Sequence, residues 1–406
     1  MQGPRLVSAG LCLFAAALPL SIAAANIGWV AAAAGLALCA WEKAPVDWKA
    51  WRGPLLWPLG AYLAAALVAS LVAPDAAGAL RSLHKDAHKL GLYALLSVAF
   101  TAGGTRKPLA ALAGGAAAAA AVGLFQWTIG LADAAVVPRA HGWLHAVTYG
   151  EQMAVLFLGA LAAWRLPSDL GPRARAAAAA LSVLTGTALL LSNTRGALAA
   201  AAAGLFVAGS ALPRLRRALF AAAAAAALVA VAADLLTPRR SLILTALGRG
   251  NAPAWSTQGQ MARLTLWKAA VGIGLDHPVA GAGIGGYRVL LPSYVKSGTL
   301  FDGNERSWGT ADNLYLHQFA ERGFVGAAAL AWLLFAYAAG ALRRARRDPG
   351  ALNLWSLGAA GAFLVMNLTE VAFQVELVWM LTLFVWTAAE AGTGRGIDTM
   401  KAPSAP

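Results

Sequence analysis

Along most of this chain apolar residues run for about twenty positions at a time, the length that crosses a bilayer as a helix. The runs lie at 6–22, 26–41, 54–73, 90–104, 108–129, 147–164, 174–192, 196–212, 218–236, 322–341, 350–368 and 374–391. They predict an all-α polytopic membrane protein with about twelve spans. Pro74 closes the third run and Pro213 the eighth. The first run follows Arg5 and has the look of a signal peptide, but further runs follow, so it reads as a retained span. One long polar stretch, from near Thr237 to Asp312, separates the ninth run from the tenth and predicts a large loop carrying short helices. The chain then divides into a bundle of nine spans at 1–236, the loop at 237–312, a bundle of three spans at 313–392 and a tail at 393–406.

Composition agrees with the pattern. Hydrophobic residues make up 59% and charged residues 12%, which excludes a soluble domain of this size. The net charge of +14 raises the question of nucleic acid. The basic residues, however, sit in short clusters between apolar runs, without the aromatic-interleaved stripe of a nucleic-acid site. That clustering is the positive-inside pattern. With the N-terminus in the cytoplasm, the clusters Lys43/Lys49/Arg52, Arg106/Lys107, Arg165/Arg173/Arg175, Arg214/Arg216/Arg217 and Arg343/Arg344/Arg346/Arg347 all fall inside. The opposite orientation puts all of them outside and is rejected. The chosen one places the long loop and all six histidines on the non-cytoplasmic side. Cys12 and Cys39 lie within the first two runs and form no disulfide framework or metal cluster.

Polar residues in the outside segments carry the candidate chemistry. Arg81, His84, Lys85 and His88 fall at four-residue spacing and predict one basic helix face resting on anionic headgroups. Arg195 interrupts two apolar runs in Ser192-Asn193-Thr194-Arg195-Gly196. An arginine at the edge of the hydrocarbon layer is costly and marks function. The stretch from Arg139 to Glu151 brings His141, His145 and Tyr149 to the outer mouth of the sixth span. There Glu151 requires a partner, which a nearby arginine supplies. Arg263 opens an amphipathic helix that ends before Asp276-His277-Pro278. Gly281 to Gly286 fits G-x-G-x-x-G, but without the strand and acid of a dinucleotide fold it reads as tight backbone near a site. In the run Asp312 to Gly323, Asn313, His317 and Glu321 share a helix face, and Asp312 suits an N-cap.

Arg139, Arg195 and Arg263 thus stand outside with a carboxylate or imidazole. Guanidinium forks match phosphate oxygens, and positive charge fixed before reaction stabilises a departing diphosphate. A base takes the proton of an acceptor hydroxyl. This is equipment for moving a group from a lipid diphosphate to an alcohol, with no carboxylate cluster in the sequence to hold a divalent ion.

These stretches resemble the O-antigen ligase and polymerase superfamily of bacterial envelope glycosyltransferases. The resemblance covers roughly Arg139 to Gly326 and the plan of spans with one large periplasmic loop. It implies a metal-independent, cofactor-free, inverting transfer of glycan from undecaprenyl diphosphate at the periplasmic face of the inner membrane. In a ligase the acceptor is a sugar hydroxyl of lipid A-core. Arg195 and Arg263 match the arginines that hold the diphosphate, with Arg139 beside them. Asn313, Glu321, Glu151, His145 and Tyr149 are the supporting residues. Many members have a histidine directly before the asparagine found here at 313, and this chain has Asp312. Either Asp312 or His317, one turn later, then acts as base. A polymerase of lipid-linked repeat units, or a ligase acting on protein, is the neighbouring reading. A transporter, with charges lining a substrate path, is a third.

Overall fold

The computed structural model describes residues 2–130, 139–166, 170–214, 217, 254–295 and 308–399. Among these the regular structure is helical: α1 (Gly3–Ala17), α2 (Ile22–Trp41), α3 (Leu56–Leu71), α4 (Ala76–Ser82), α5 (His84–Gly103), α6 (Arg106–Gly130), α7 (Ala146–Arg165), α8 (Pro172–Leu191), α9 (Arg195–Ser210), α10 (Ala254–Asp276), α11 (Gly286–Tyr294), α12 (Leu314–Arg347), α13 (Ala351–Met366) and α14 (Glu376–Thr399). Helices α2, α6, α7, α8 and α12 are long and apolar enough to cross a membrane, and α1, α3, α9 and α13 are shorter apolar helices. The chain is a polytopic membrane protein. The predicted span at 218–236 lies outside the described residues, as do 131–138, parts of the long loop at 237–253 and 296–307, and the tail beyond 399.

Helices in lipid gain little from burying apolar surface against one another, so close van der Waals packing through small residues holds them together. The α1–α2 hairpin shows this. A Cβ on Gly10 would stand 2.4 Å from the Ala32 nitrogen, and one on Gly28 would stand 2.3 Å from the Phe14 nitrogen. Larger side chains fill the centre. Phe14 and Phe100 pack on Phe384 of α14, with ring centroids 6.1 and 5.3 Å apart. Buried Gln152 on α7 donates to the Leu18 and Leu377 carbonyls at 2.8 and 3.2 Å, tying three helix ends together.

Two local expectations differ from what forms. The basic face predicted at 81–89 is split between α4 and α5, because the Leu83 N–H closes a tight bond to Leu80 O. His88 then turns inward, between Trp29 and Trp379 and 3.4 Å from Glu376. At the start of α12, Asn313 is the N-cap and accepts from Leu316 N, while Asp312 adopts a left-handed conformation at φ 47°. The chain has to turn sharply there to enter the helix.

The described part of the long loop is folded onto the bundle. Helices α10 and α11 share a small core with α12, built on Leu266, Ala270, Ile273, Tyr287, Leu291 and Ala320. Its attachment is partly backbone. Helix α12 breaks at Gly323 (φ 59°, ψ −158°), which frees polar groups for the segment 278–283. Ala282 N donates to Ala320 O, Gly283 N to Glu321 O, Phe324 N to Pro278 O and Val325 N to Val279 O. Only glycine fits at 323, where the backbone is left-handed and a Cβ would stand 2.4 Å from Val279 O.

Candidate active site at the α9–α12 mouth

Four chain segments meet at one end of the bundle: the entry to α7, the α8–α9 turn, the entry to α12 and the α13–α14 turn. Arg139 stitches the first two. Its Nε donates to Ser192 O at 2.9 Å and its Nη2 to Thr194 Oγ1 at 3.0 Å, while Ala140 N donates to Leu191 O. The turn also lies on the first turn of α7, where a Cβ on Gly150 would stand 2.8 Å from Ser192 Oγ. Arg195, the first residue of α9, is left exposed at the mouth.

The α13–α14 turn is fixed mainly by main-chain atoms. Leu314 N donates to both Asn367 O and Glu370 O, and Asn313 Nδ2 donates to Leu368 O at 2.9 Å. Asn367 folds the turn, accepting from Phe373 N at 3.0 Å. The turn touches α9 as well, since Gly196 packs directly on Thr369.

Glu370 is where these segments converge electrostatically. Arg263 of α10 reaches it from the folded loop, with Nη2 3.1 Å from Oε1. The arginine is 42% exposed and the carboxylate 23% exposed, so both face the open mouth. Burial pushes the Glu370 carboxyl up to about 7, and the neighbouring charge of Asp312 adds to this against the pull of Arg263 and Arg139. A carboxyl with this range and this exposure suits proton transfer near neutral pH.

The other residues singled out in the sequence divide between this mouth and its support. Arg139, Arg195, Arg263, Asp312 and Asn313 belong to the mouth. Asp312 is half-buried and accepts from Thr310 Oγ1 at 3.0 Å. His145 is exposed and caps α7 from its Nδ1. Tyr149 points the other way, into α6, with its hydroxyl donating to Ala119 O. Glu151 is buried, and neither carboxylate oxygen finds a hydrogen-bond partner among the described residues, so it does not pair with Arg139. His317 is 2% exposed, packed edge-on to Tyr287 and 3.5 Å from Glu321. Glu321 Oε1 in turn accepts from Gly285 N at 2.8 Å. This pair clamps the glycine-rich segment behind the mouth.

Glu370 is the residue sequence reasoning passed over. It lies in the short turn between the last two apolar runs, 350–368 and 374–391. Its signal was that isolation, since a lone carboxylate between two spans needs a reason to be there.

Among curated proteins no match to the chain is found. Residues 180–331, which run from within α8 through Arg195, Arg263 and Asp312 into α12, match the family model described as O-antigen ligase.

Proposed function

We propose that this mouth transfers a glycan from undecaprenyl diphosphate to a sugar hydroxyl of lipid A-core, on the periplasmic side of a bacterial inner membrane. The carrying observation is that Arg263 pairs with Glu370 on the α13–α14 turn, and that this turn packs against the start of α9, which carries Arg195. Two of these three residues lie inside the segment similar to O-antigen ligases. In this reading the chain has about twelve spans, with the bundles at 1–236 and 313–392 joined by a periplasmic loop at 237–312 and followed by a cytoplasmic tail. The arginines of α12's far end, Arg343, Arg344, Arg346 and Arg347, support that orientation.

The chemistry follows from the charges. Arg195 and Arg263 hold the diphosphate, and Arg139 keeps the turn that carries Arg195 in place. The acceptor oxygen attacks the anomeric carbon from the face opposite the diphosphate. The carbon–oxygen bond to the phosphate breaks, its electron pair stays on the phosphate oxygen, and the configuration inverts. Charge building on that oxygen is met by guanidinium groups already in position, which is how a site lowers the barrier without a metal. The hydroxyl proton goes to a carboxylate, for which Asp312 and Glu370 both stand at the mouth. His145, Tyr149, Glu151, Asn313, His317 and Glu321 support the walls.

A polymerase that joins lipid-linked repeat units has one observation in its favour, the aspartate at 312 where the resembling ligases carry histidine. The purified protein with an undecaprenyl-diphosphate glycan distinguishes the two. A lipid A-linked product that appears only with the core acceptor establishes the ligase. Lengthening of the lipid-linked glycan without that acceptor establishes the polymerase. Neither product, under conditions where a second ligase works, overturns transfer to lipid A-core and leaves a protein acceptor or transport.

A further inference from the structure

Arg263 and Glu370 form an ion pair that the fold does not need. The α13–α14 turn is secured to α12 by the Leu314 amide and the Asn313 side chain, both bonding to main-chain carbonyls, and by Asn367 within the turn. Helix α10 is held by its apolar face and by the backbone pairing around Gly323. The pair meets through a single nitrogen and a single oxygen, and Arg263 keeps much of its fork exposed. Exposed ion pairs of this kind contribute little to stability. A cation that belongs on a diphosphate is here resting on a carboxylate.

Resting on the transfer reading above, we propose that Glu370 is the catalytic base, and that Arg263 passes from Glu370 to the donor's diphosphate when the donor binds. The exchange arms the base. With Arg263 on Glu370 the carboxylate is partly neutralised and occupied. Once Arg263 moves to a phosphate, that carboxylate oxygen is open to the acceptor hydroxyl. Its affinity for a proton also rises, because one stabilising cation has left and a diphosphate anion has arrived. Among the described residues, the charged groups facing Glu370 are Arg263 from α10, Arg139 ahead of α7, Asp312 ahead of α12 and Glu151 within α7. Burial and Asp312 raise its proton affinity and the two arginines lower it.

The cycle balances. The acceptor O–H proton moves to a Glu370 oxygen as the new carbon–oxygen bond forms, and the leaving diphosphate keeps the electrons of the broken bond. When the carrier diphosphate departs, Arg263 returns to the carboxyl and its charge favours loss of the proton to water. A site with no donor bound therefore holds a weaker base, which protects against wasteful proton transfer.

Glu370→Gln in the full-length protein, reconstituted in nanodiscs, tests this, with Glu370→Asp as the second variant. Binding of undecaprenyl diphosphate is measured separately from glycan transfer. Loss of a general base is expected to slow transfer at least about 100-fold. Undecaprenyl diphosphate should bind Glu370→Gln as tightly as wild type or more tightly, because its internal competitor for Arg263 is gone. Glu370→Asp should keep part of the rate together with the acid limb of the pH profile. Transfer by Glu370→Gln near the wild-type rate with an unchanged acid limb overturns the proposal. So does parallel loss of transfer and diphosphate binding, which marks a structural role. In both of those results the wild type transfers glycan. A wild type that binds undecaprenyl diphosphate yet transfers nothing overturns the transfer reading itself and the proposal with it.

Discussion

Gly196 and Thr369 touch across the boundary between α9 and the α13–α14 turn, so closely that a Cβ on Gly196 would stand 2.5 Å from the Thr369 hydroxyl oxygen. The contact sets Arg195 next to the turn that carries Glu370. Gly196→Ala forces the two apart, and overpacking of this kind costs about 1–3 kcal/mol. Glycan transfer should fall more steeply than thermal stability, because Arg195 leaves its place while the bundle persists. Parallel rate and melting measurements in detergent check this; a variant with full activity sinks the assignment of Arg195 to the site.

Arg195→Ala and Arg263→Ala should each abolish transfer while the protein still inserts and purifies as a folded species. Lysine at either position should not restore it, since an ammonium lacks the planar fork that matches phosphate oxygens. Normal turnover by either lysine variant would show that charge alone suffices.

Arg139 acts at one remove. Its two bonds to the α8–α9 turn come from a charged group, so Arg139→Ala is expected to cost about 2 kcal/mol of stability. Amide exchange at residues 192–198 should quicken in that variant, and transfer should fall because the turn no longer presents Arg195. Unchanged exchange there would place Arg139 on the substrate instead.

Asp312 and His317 separate by pH. The Asp312 charge raises the proton affinity of Glu370, so Asp312→Asn should move the acid limb of the rate profile to lower pH while transfer continues. His317 is buried against Tyr287 and Glu321, and His317→Ala should lower the melting temperature and leave the limb in place. Complete loss of transfer in Asp312→Asn, with folding intact, would make Asp312 the base.

Stability should carry the same signature. The Glu370 carboxyl rises from an ordinary value of 4.5 to about 7 in the fold. Folding therefore favours its protonated form. The contribution is full below the unfolded value and is lost as pH rises through about 7. The melting temperature in detergent should decline across that window in the wild type and flatten in Glu370→Gln.

The helices were legible because bilayer thickness imposes a length on every apolar run. The predicted runs 108–129, 147–164 and 174–192 fall within a few residues of α6, α7 and α8. Arg195 and Arg263 were legible for a similar reason, since a cation beside a span is conspicuous. Direction was not legible. Tyr149 and Glu151 lie on a helix that begins at the mouth, yet their side chains turn into the bundle. His317 had the right chemistry and spacing, but packing against Tyr287 buries it. Glu370 was hidden because its meaning lies in Arg263, 107 residues earlier, and the loop between them docks through contacts that no periodicity reveals.

The break in α12 at Gly323 joins the loop module to the membrane helix by four main-chain hydrogen bonds. Main-chain ladders shear far less easily than side-chain contacts, so α10, with Arg263, and the outer half of α12, with Asp312 just ahead of it, form a single plate. The opposite wall of the mouth, where α9 begins with Arg195, meets the α13–α14 turn through the contact of Gly196 with Thr369. Arg263 and Arg195 thus stand on differently anchored walls of the mouth, the first on a main-chain ladder and the second on a side-chain clasp from Arg139.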